Sequence, residues 1–516
     1  MVTKQSIAEM RSRGVVKLKE KDMFALWVKT ACGNLTSRQL NKLAEITEKY
    51  ARGYLLFTTR QIPIIPFVSA GDVEKVQAEL ATVYLRLDRC GPTVRNVNVC
   101  YDDKICPEAV TNSLSLGEKL DRFFDVPMRH KVKIGISGCR KDCVICRALT
   151  DIGFIGVERD GRRGYDVYVG GRLGLNPFVG VKMAECLTEE ESVRFVQNYF
   201  DLLSKEGKLE ERGADLIPRL GVEKVRQELT KNLSQSAGLQ PVTCETRLRE
   251  KATDKVILRI RATAGEVTAT QLRKISAIAD KYGRGFVHFA VRGSPEIPCI
   301  DKKDGEDIRQ ELRAVGMSLL DGGIDNLQSC FGSYCTESNA DPQSLLREIE
   351  RLVEELGLNN QAINISAGGC PNSCAIVHLS DIGFYGVVEP EVAPTNCNGC
   401  QLCVPVCKRK AIAVKGSVAV IDRERCGNCG QCITICPLDA IAEKRRGFAV
   451  LAGGREGEDT RLGELIAEFL SEEEALRLAE SCLRLVKEKR ASVADIIDEI
   501  GIEKFKEMLL SAQITE

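Results

Sequence analysis

Neither sign of charge prevails in this 516-residue chain: 73 Lys and Arg stand against 73 Asp and Glu, for a net charge of zero. Bulk attraction to nucleic acid is therefore not indicated, and any anion site has to come from local clustering of bases. No apolar run approaches the ~20 residues of a membrane span. The first residues, MVTKQSIAEMRSRG, are polar and lack the apolar core of a signal peptide, so a cytoplasmic location is expected. Without an export signal the 23 cysteines sit in a reducing compartment, where disulfides are not expected. What remains, 44% hydrophobic and 28% charged, is a globular composition able to bury sizeable cores. At roughly 150 residues per domain the length suggests three or four units.

Regularly spaced cysteines in such a compartment point to metal. Cys32, Cys90, Cys186, Cys244, Cys299 and Cys482 show no spacing and read as buried thiols. The rest are patterned. CNGCQLCVPVCK supplies Cys397, Cys400, Cys403 and Cys407, and CGNCGQCITICP supplies Cys426, Cys429, Cys432 and Cys436, followed by Pro437. This is C-x2-C-x2-C-x3-C twice, the signature of a bacterial ferredoxin with two 4Fe–4S clusters, in which the fourth cysteine of each run ligates the other cluster. One cluster is expected on Cys397, Cys400, Cys403 and Cys436, the other on Cys426, Cys429, Cys432 and Cys407. Zinc is the alternative, disfavoured by the doubled spacing. Lys408 stands where the motif often has proline.

The chain also contains itself twice. KYARGYLLFTTRQIPIIPF from Lys49 aligns without gaps to KYGRGFVHFAVRGSPEIPC from Lys281, at an offset of 232. DIGFIG from Asp151 matches DIGFYG from Asp381 at 230, whereas GGRLG from Gly170 and LTEEE from Leu187 match GGREG and LSEEE at 283. The jump locates a 53-residue insertion after Gly386, in the second half only. Leu40, Leu43, Ile46 and Tyr50, and again Leu272, Ile275, Ile278 and Tyr282, recur at near-helical spacing ahead of the β-rich runs GYLLFTTR and GFVHFAVR. Thr188 with Glu191, and Ser471 with Glu474, form capping boxes opening a later helix. NLSQSAGLQP from Asn232 reads as the linker between halves. The expected architecture is α+β: two halves related by a pseudo-twofold, with a small guest domain in the second.

Each half carries one more cysteine set. Cys100 and Cys106 (C-x5-C) precede Cys139 and Cys143 (C-x3-C); Cys330 and Cys335 (C-x4-C) precede Cys370 and Cys374 (C-x3-C). Four thiolates suit a 4Fe–4S cluster, with zinc again the alternative. With TTRQ upstream, SGC or GGCPNSC at the pair and DIGF downstream, the chain resembles the sirohaem-dependent sulfite and nitrite reductases over nearly its whole length. Fused related halves and an inserted ferredoxin are most similar to the dissimilatory-type enzymes. The resemblance implies a ferredoxin-like half-domain over 1–92 and another over 246–324, joined through a linker at 232–245. Sirohaem/4Fe–4S domains would span 93–231 and 325–388 with 444–516, and the inserted ferredoxin 389–443. Two departures stand out: C-x4-C is one residue short of the usual spacing, and GCRKDC has Arg140 and Lys141 for the usual Pro-Asn, with Cys146 as an extra, buried thiol.

The resemblance further implies that the last cysteine of a set, Cys143 or Cys374, bridges cluster and haem iron. The family's anion-binding bases fall on Arg60, Arg95, Lys131 and Lys133; the second half keeps only Arg292, with Asp325, Ala362 and Asn364 at the other places. Lys133 precedes Cys139 by six residues of apparent strand, ~20 Å if extended. The bases are thus expected at the far end from their own cluster, and the resemblance implies that this end serves the cluster of Cys330, Cys335, Cys370 and Cys374. Sirohaem carries eight carboxylates, for which Arg52, Arg172, Arg284 and Arg455 are candidate partners. The expected cofactors are four 4Fe–4S clusters and a catalytic sirohaem, with a second, structural sirohaem as an option. The expected reaction is the six-electron reduction of sulfite to sulfide under anaerobic conditions. Electrons would come from a donor protein such as a ferredoxin or a reductase subunit, and a homodimer is compatible with this. The rivals are a nitrite reductase forming ammonia and a non-catalytic electron-transfer protein.

Overall fold

Thr36 caps helix Ser37–Tyr50, its hydroxyl accepting from the Gln39 N–H while the Gln39 side chain accepts from the Thr36 N–H. Thr268 and Gln271 repeat this at helix Ala269–Tyr282, and both reciprocal pairs satisfy N–H groups that a helix start leaves orphaned. The expected stripes, Leu40, Leu43 and Ile46 in one helix and Leu272, Ile275 and Ile278 in the other, are buried. The computed structural model describes residues 9–126, 128–209, 211–234, 255–320, 327–358 and 363–511. Asp325, Ala362, Cys244 and most of the 232–245 linker lie outside them. Two units result: residues 1–172, 178–320 and 456–460, and residues 173–177, 321–455 and 461–516.

In the first unit the half-domains exchange strands. Glu266–Thr268 of the second half pairs antiparallel with Tyr54–Phe57 of the first, and Asn34–Thr36 of the first pairs with Phe286–Phe289 of the second. Phe57 and Phe289 stack at 3.7 Å between centroids, and Ser37 and Ser276 donate to each other's carbonyls. Neither half-domain's sheet is complete without the other, the structural meaning of the sequence repeat. The same unit holds a five-stranded sheet in the order Val181–Leu187, Arg162–Val169, Ile152–Arg159, Ile134–Ser137, Asn98–Val99. The run from Lys133 to Cys139 contains only the four-residue strand Ile134–Ser137, shorter than the extended run expected, because Gly138 turns the chain into the cysteine loop.

The second unit repeats that sheet: Glu464–Leu470, Ile441–Ala452, Ile382–Val392, Ile365–Gly368, Gln328–Ser329. Register locates the insertion. Gly156 faces Tyr165 and the hairpin closes at Arg159 and Arg162; Gly386 faces Phe448, and Glu389 faces Arg445 where that hairpin would have closed. Here the strands run on instead, and the guest emerges from the hairpin tip. It contains the hairpin Ile412–Lys415 with Val418–Ile421 and two short helices, Cys403–Val406 and Gln431–Ile435. Thr188 and Ser471 form their capping boxes as expected.

Candidate active site

The cysteines gather in the sets that spacing suggests. Cys100 lies within electrostatic reach of Cys143, Cys139 and Cys106, and Cys370 of Cys374, Cys330 and Cys335. Cys403 feels Cys400, Cys397 and Cys436, and all four line one small cavity. Cys429 feels Cys426 and Cys407, and Cys432 feels Cys429 and Cys426. The fourth cysteine of each ferredoxin run has thus crossed to the other run's set. Burial first, and neighbouring thiols second, push Cys330 and Cys432 up to about 12. Thiols gathered in this way do not all ionise unless positive charge sits among them, and a 4Fe–4S core would supply it. Backbone N–H groups already point at sulfur: Gly138 at Cys100 (2.9 Å), Gly369 at Cys330 (3.2 Å), Ala411 at Cys407 (3.2 Å). Among the described residues no group of three or more His, Cys, Asp or Glu closes to the spacing of a single metal ion.

The short C-x4-C spacing has a local solution. Gly332 takes φ +73° and its N–H donates to Cys330 Sγ at 3.2 Å; a Cβ there would collide with the Gln343 side chain. Only glycine gives a turn tight enough to keep Cys335 with its set.

Three segments of the first unit bring the bases together. Gln61 of TTRQ clamps Val99 through two bonds, Nε2 to the carbonyl at 2.9 Å and Oε1 from the N–H at 2.7 Å, while Asn96 Nδ2 donates to the Arg60 carbonyl at 3.1 Å. The Arg95 N–H donates to the carbonyl of Val132, the residue between the two lysines, at 2.9 Å. Lys133 is fixed through its backbone N–H, which donates to Asp151 Oδ2 at 2.8 Å, and Arg212 grips the same carboxylate with two bonds.

The result is a crowd of cations. Burial, then Lys133, Arg95, Arg60 and Arg212, hold the Lys131 ammonium well below its usual pKa. Burial and Arg60 bring Arg95 down to about 10. Arg60 Nη1 and Arg95 Nε are buried without a hydrogen-bond partner. Arg60 lies over the Trp27 ring at 4.0 Å, its nearest carboxylate oxygen being Asp88 Oδ2 at 3.9 Å. Burial raises the Asp88 carboxyl while Arg60, Lys29 and Arg95 pull it down, and Asp88 Oδ2, like Arg60 Nη1, is buried without a hydrogen-bond partner. Buried unpaired cations are costly unless an anion completes them; this arrangement suits a small oxyanion.

Two participants were not legible in the sequence. Cys90, read there as an unpatterned thiol, is buried, and although burial raises it, Arg60, Arg95 and Arg11 outweigh that and bring it to about 7. Trp27, the chain's single tryptophan, was visible only as a composition count. Of the other unpatterned cysteines, Cys32 and Cys482 are buried, and Cys186 and Cys299 are partly exposed.

The surroundings of the first cysteine set differ in sign. Arg259 and Glu296 act on Cys143 and pair with each other at 2.9 Å, Glu296 being 5% exposed. Arg292, the repeat counterpart of Arg60, is bound to Glu456 at 2.6 Å. Arg292, unlike Arg60, is thus held by an acid, and a buried acid acts on Cys143. The candidate haem-carboxylate arginines also have acidic partners: Arg52 with Glu20 (2.7 Å), Arg172 with Asp215 (2.7 Å), and Arg455 with Asp495. Arg172 and Arg455 match one another, each paired to an acid on the second helix after its sheet, Gly213–Leu220 or Val493–Ile500. Arg284 is exposed.

Four gathered thiol sets and a cluster of buried cations are the parts expected of an iron–sulfur oxidoreductase. The family follows from comparison: the nitrite and sulphite reductase 4Fe-4S domain matches residues 90–237 and 322–514, and the nitrite/sulfite reductase ferredoxin-like half domain matches 16–83 and 249–315. The chain belongs to the nitrite and sulfite reductase family, whose members are oxidoreductases using sirohaem and a 4Fe–4S cluster. A sulfite reductase (ferredoxin) of Mycobacterium tuberculosis is 25% identical over 407 residues, covering 71% of this chain and 70% of that one. A coenzyme F420-dependent sulfite reductase of Methanocaldococcus jannaschii is 33% identical over 269 residues, 50% of this chain and 43% of that protein. The solved Mycobacterium tuberculosis NirA protein shares the fold, with a TM-score of 0.74 at 20% identity over 98% of this chain and 92% of that one. No helix among the described residues is long and apolar enough to cross a membrane.

Proposed function

We propose that this chain reduces sulfite to sulfide, consuming six electrons and eight protons per sulfite dianion and releasing three waters. The observation that carries the reading is the convergence of Arg60, Arg95, Lys131 and Lys133, in which Arg60 Nη1 and Arg95 Nε are buried donors without a hydrogen-bond partner and like charge depresses Lys131. Such cations hold a dianion, polarise its S–O bonds as charge builds on oxygen, and, for lysine, pass protons to the leaving oxygens. Sirohaem, when bound, would supply an electron-accepting iron for the substrate, and Cys374, with Cys330, Cys335 and Cys370, would hold the cluster that feeds it. The crossing of bases in one half to cysteines in the other is supported by the first cysteine set, whose Cys143 meets Arg259 and Glu296 from the opposite half-domain.

The first-half set serves as an electron relay or structural cluster. Glu296 acts on its Cys143, and such an acid fits neither an anion nor a tetrapyrrole ringed with carboxylates, so a single sirohaem per chain is the expected complement. The dissimilatory-type layout, two fused halves with an inserted ferredoxin, favours sulfite over nitrite. Comparing kcat/KM for the two anions on anaerobically purified protein, with pigment extracted from the same sample, tests this. Preference for sulfite is expected; a clear preference for nitrite reverses the assignment.

A further inference from the structure

The ferredoxin motif often has proline after its fourth cysteine, and this chain has Lys408. That lysine is exposed, and its Nζ donates to Asn372 Oδ1 at 2.8 Å. Asn372 lies between Cys370 and Cys374, and its Nδ2 donates in turn to Cys370 Sγ at 3.4 Å. A connected path therefore runs from the residue after Cys407 to a sulfur of the second-half set. A second path starts at Cys429, whose carbonyl accepts from Asn339 Nδ2 at 3.4 Å. The Asn339 N–H donates to the Gly369 carbonyl at 2.6 Å, and the Gly369 N–H donates to Cys330 Sγ at 3.2 Å. Both paths leave from one ferredoxin set, that of Cys407, Cys426, Cys429 and Cys432. In the half without a guest the residue answering to Asn339 is Val110. Its N–H keeps the corresponding bond, to Gly138 at 2.9 Å, but its side chain has no polar group to reach a second domain.

We propose that Lys408 is a positioning residue for electron transfer between the ferredoxin and the second-half cluster. By occupying Asn372 Oδ1 it orients the amide so that Nδ2 faces Cys370 Sγ. The set containing Cys407 and Cys429, rather than that of Cys397, Cys400, Cys403 and Cys436, is then the exchange partner. This rests on the reading that both sets hold 4Fe–4S clusters. One electron leaves one side and one arrives at the other, with no bond made or broken. An N–H on a cluster sulfur, backed by a cation, stabilises the more negative reduced state and so raises the potential of the acceptor.

Potentiometry followed by electron paramagnetic resonance, on anaerobic full-length protein, tests the proposal. Lys408→Met and Asn372→Leu should each move the midpoint of a single cluster to more negative potential. The equilibrium for transfer from the ferredoxin should fall about tenfold, ~59 mV for a one-electron couple. Lys408→Arg should restore most of the shift, and Lys415→Met, an exposed cation of the same domain, should not move it. Unshifted midpoints in Lys408→Met overturn the proposal, as does an equal shift in Lys415→Met, which would mark a general charge effect. Wild-type protein with fewer than four clusters by iron and sulfide analysis overturns the cluster reading instead. Lys408 is on the surface, so its variant carries the test even where Asn372→Leu fails to fold.

Discussion

Replacing Arg95 with glutamine should do two things at once, and together they identify the anion pocket. Arg95 is 3% exposed and contributes both an unpartnered donor to the pocket and one of the four cations that depress Lys131. Loss of a cation that meets charge developing in the transition state commonly costs about 10²-fold, or roughly 3 kcal/mol, so kcat/KM near neutral pH should fall by about that factor. Removing one of the like charges that depress it should raise the Lys131 pKa in the variant. The sign follows from linkage. A bound dianion requires protonated Lys131, whose pKa in the free protein is lowered, so affinity is full below that pKa and weakens as pH rises through it. In Arg95→Gln this alkaline limb should move to higher pH even as activity drops; in Lys131→Ala it should vanish. Cys90, at about 7, adds a second limb by placing a thiolate beside the anion, and Cys90→Ser removes it. The assay is steady-state reduction with a small-molecule donor across pH. Nitrite is run beside sulfite to separate the protein's limbs from protonation of sulfite itself. An alkaline limb that persists unmoved in both Arg95→Gln and Lys131→Ala would refute the assignment of these bases.

Three further outcomes are expected. Iron and acid-labile sulfide on anaerobic protein should each approach sixteen per chain, from sixteen cysteines in four sets, before haem iron is added; a colourless zinc protein would end the cluster reading. Replacing residues 390–444 by Asp-Gly, the turn that closes the first-half hairpin between Arg159 and Arg162, should remove two clusters and turnover with a protein donor while haem stays bound; unchanged turnover would refute electron input through the guest. Cys374→Ala should abolish reduction, whereas Cys143→Ala should cost one cluster and part of the stability with haem retained. The opposite pattern would place the working haem at the first set.

Much of this was legible because a duplication lets a chain serve as its own comparison. The offsets of 230 and 283 located the insertion, and strand register bears them out, with Gly156 opposite Tyr165 matched by Gly386 opposite Phe448. Capping boxes and apolar stripes are local and short-ranged, so Thr36, Thr188, Thr268 and Ser471 announced their helices. The strand exchange was not legible. Asn34–Thr36 and Glu266–Thr268 are three-residue strands, too short for any alternation to register. Partners brought in from a distance were equally hidden: Glu456 reaches Arg292 from 164 residues away, and nothing near Arg292 in sequence foretells it. Cys90 is buried as expected, but its lowered pKa could not be read, since it comes from Arg60, Arg95 and Arg11 converging in space.

The two halves therefore differ less in what was lost than in what was added. Had the second half merely shed its lysines, Arg292 would remain as a cation without a countercharge. Instead Glu456 pairs with it, and Glu296 is buried against Arg259. A buried carboxylate needs a cation to be tolerated, and an isolated buried arginine needs a carboxylate. Glu456 thus supplies the countercharge that Arg292 needs, as Arg259 does for the buried Glu296. On the proposed reading, a first set that only passes electrons would ask nothing of the bases around a substrate. That is why the chain keeps its cysteines twice and its lysines once.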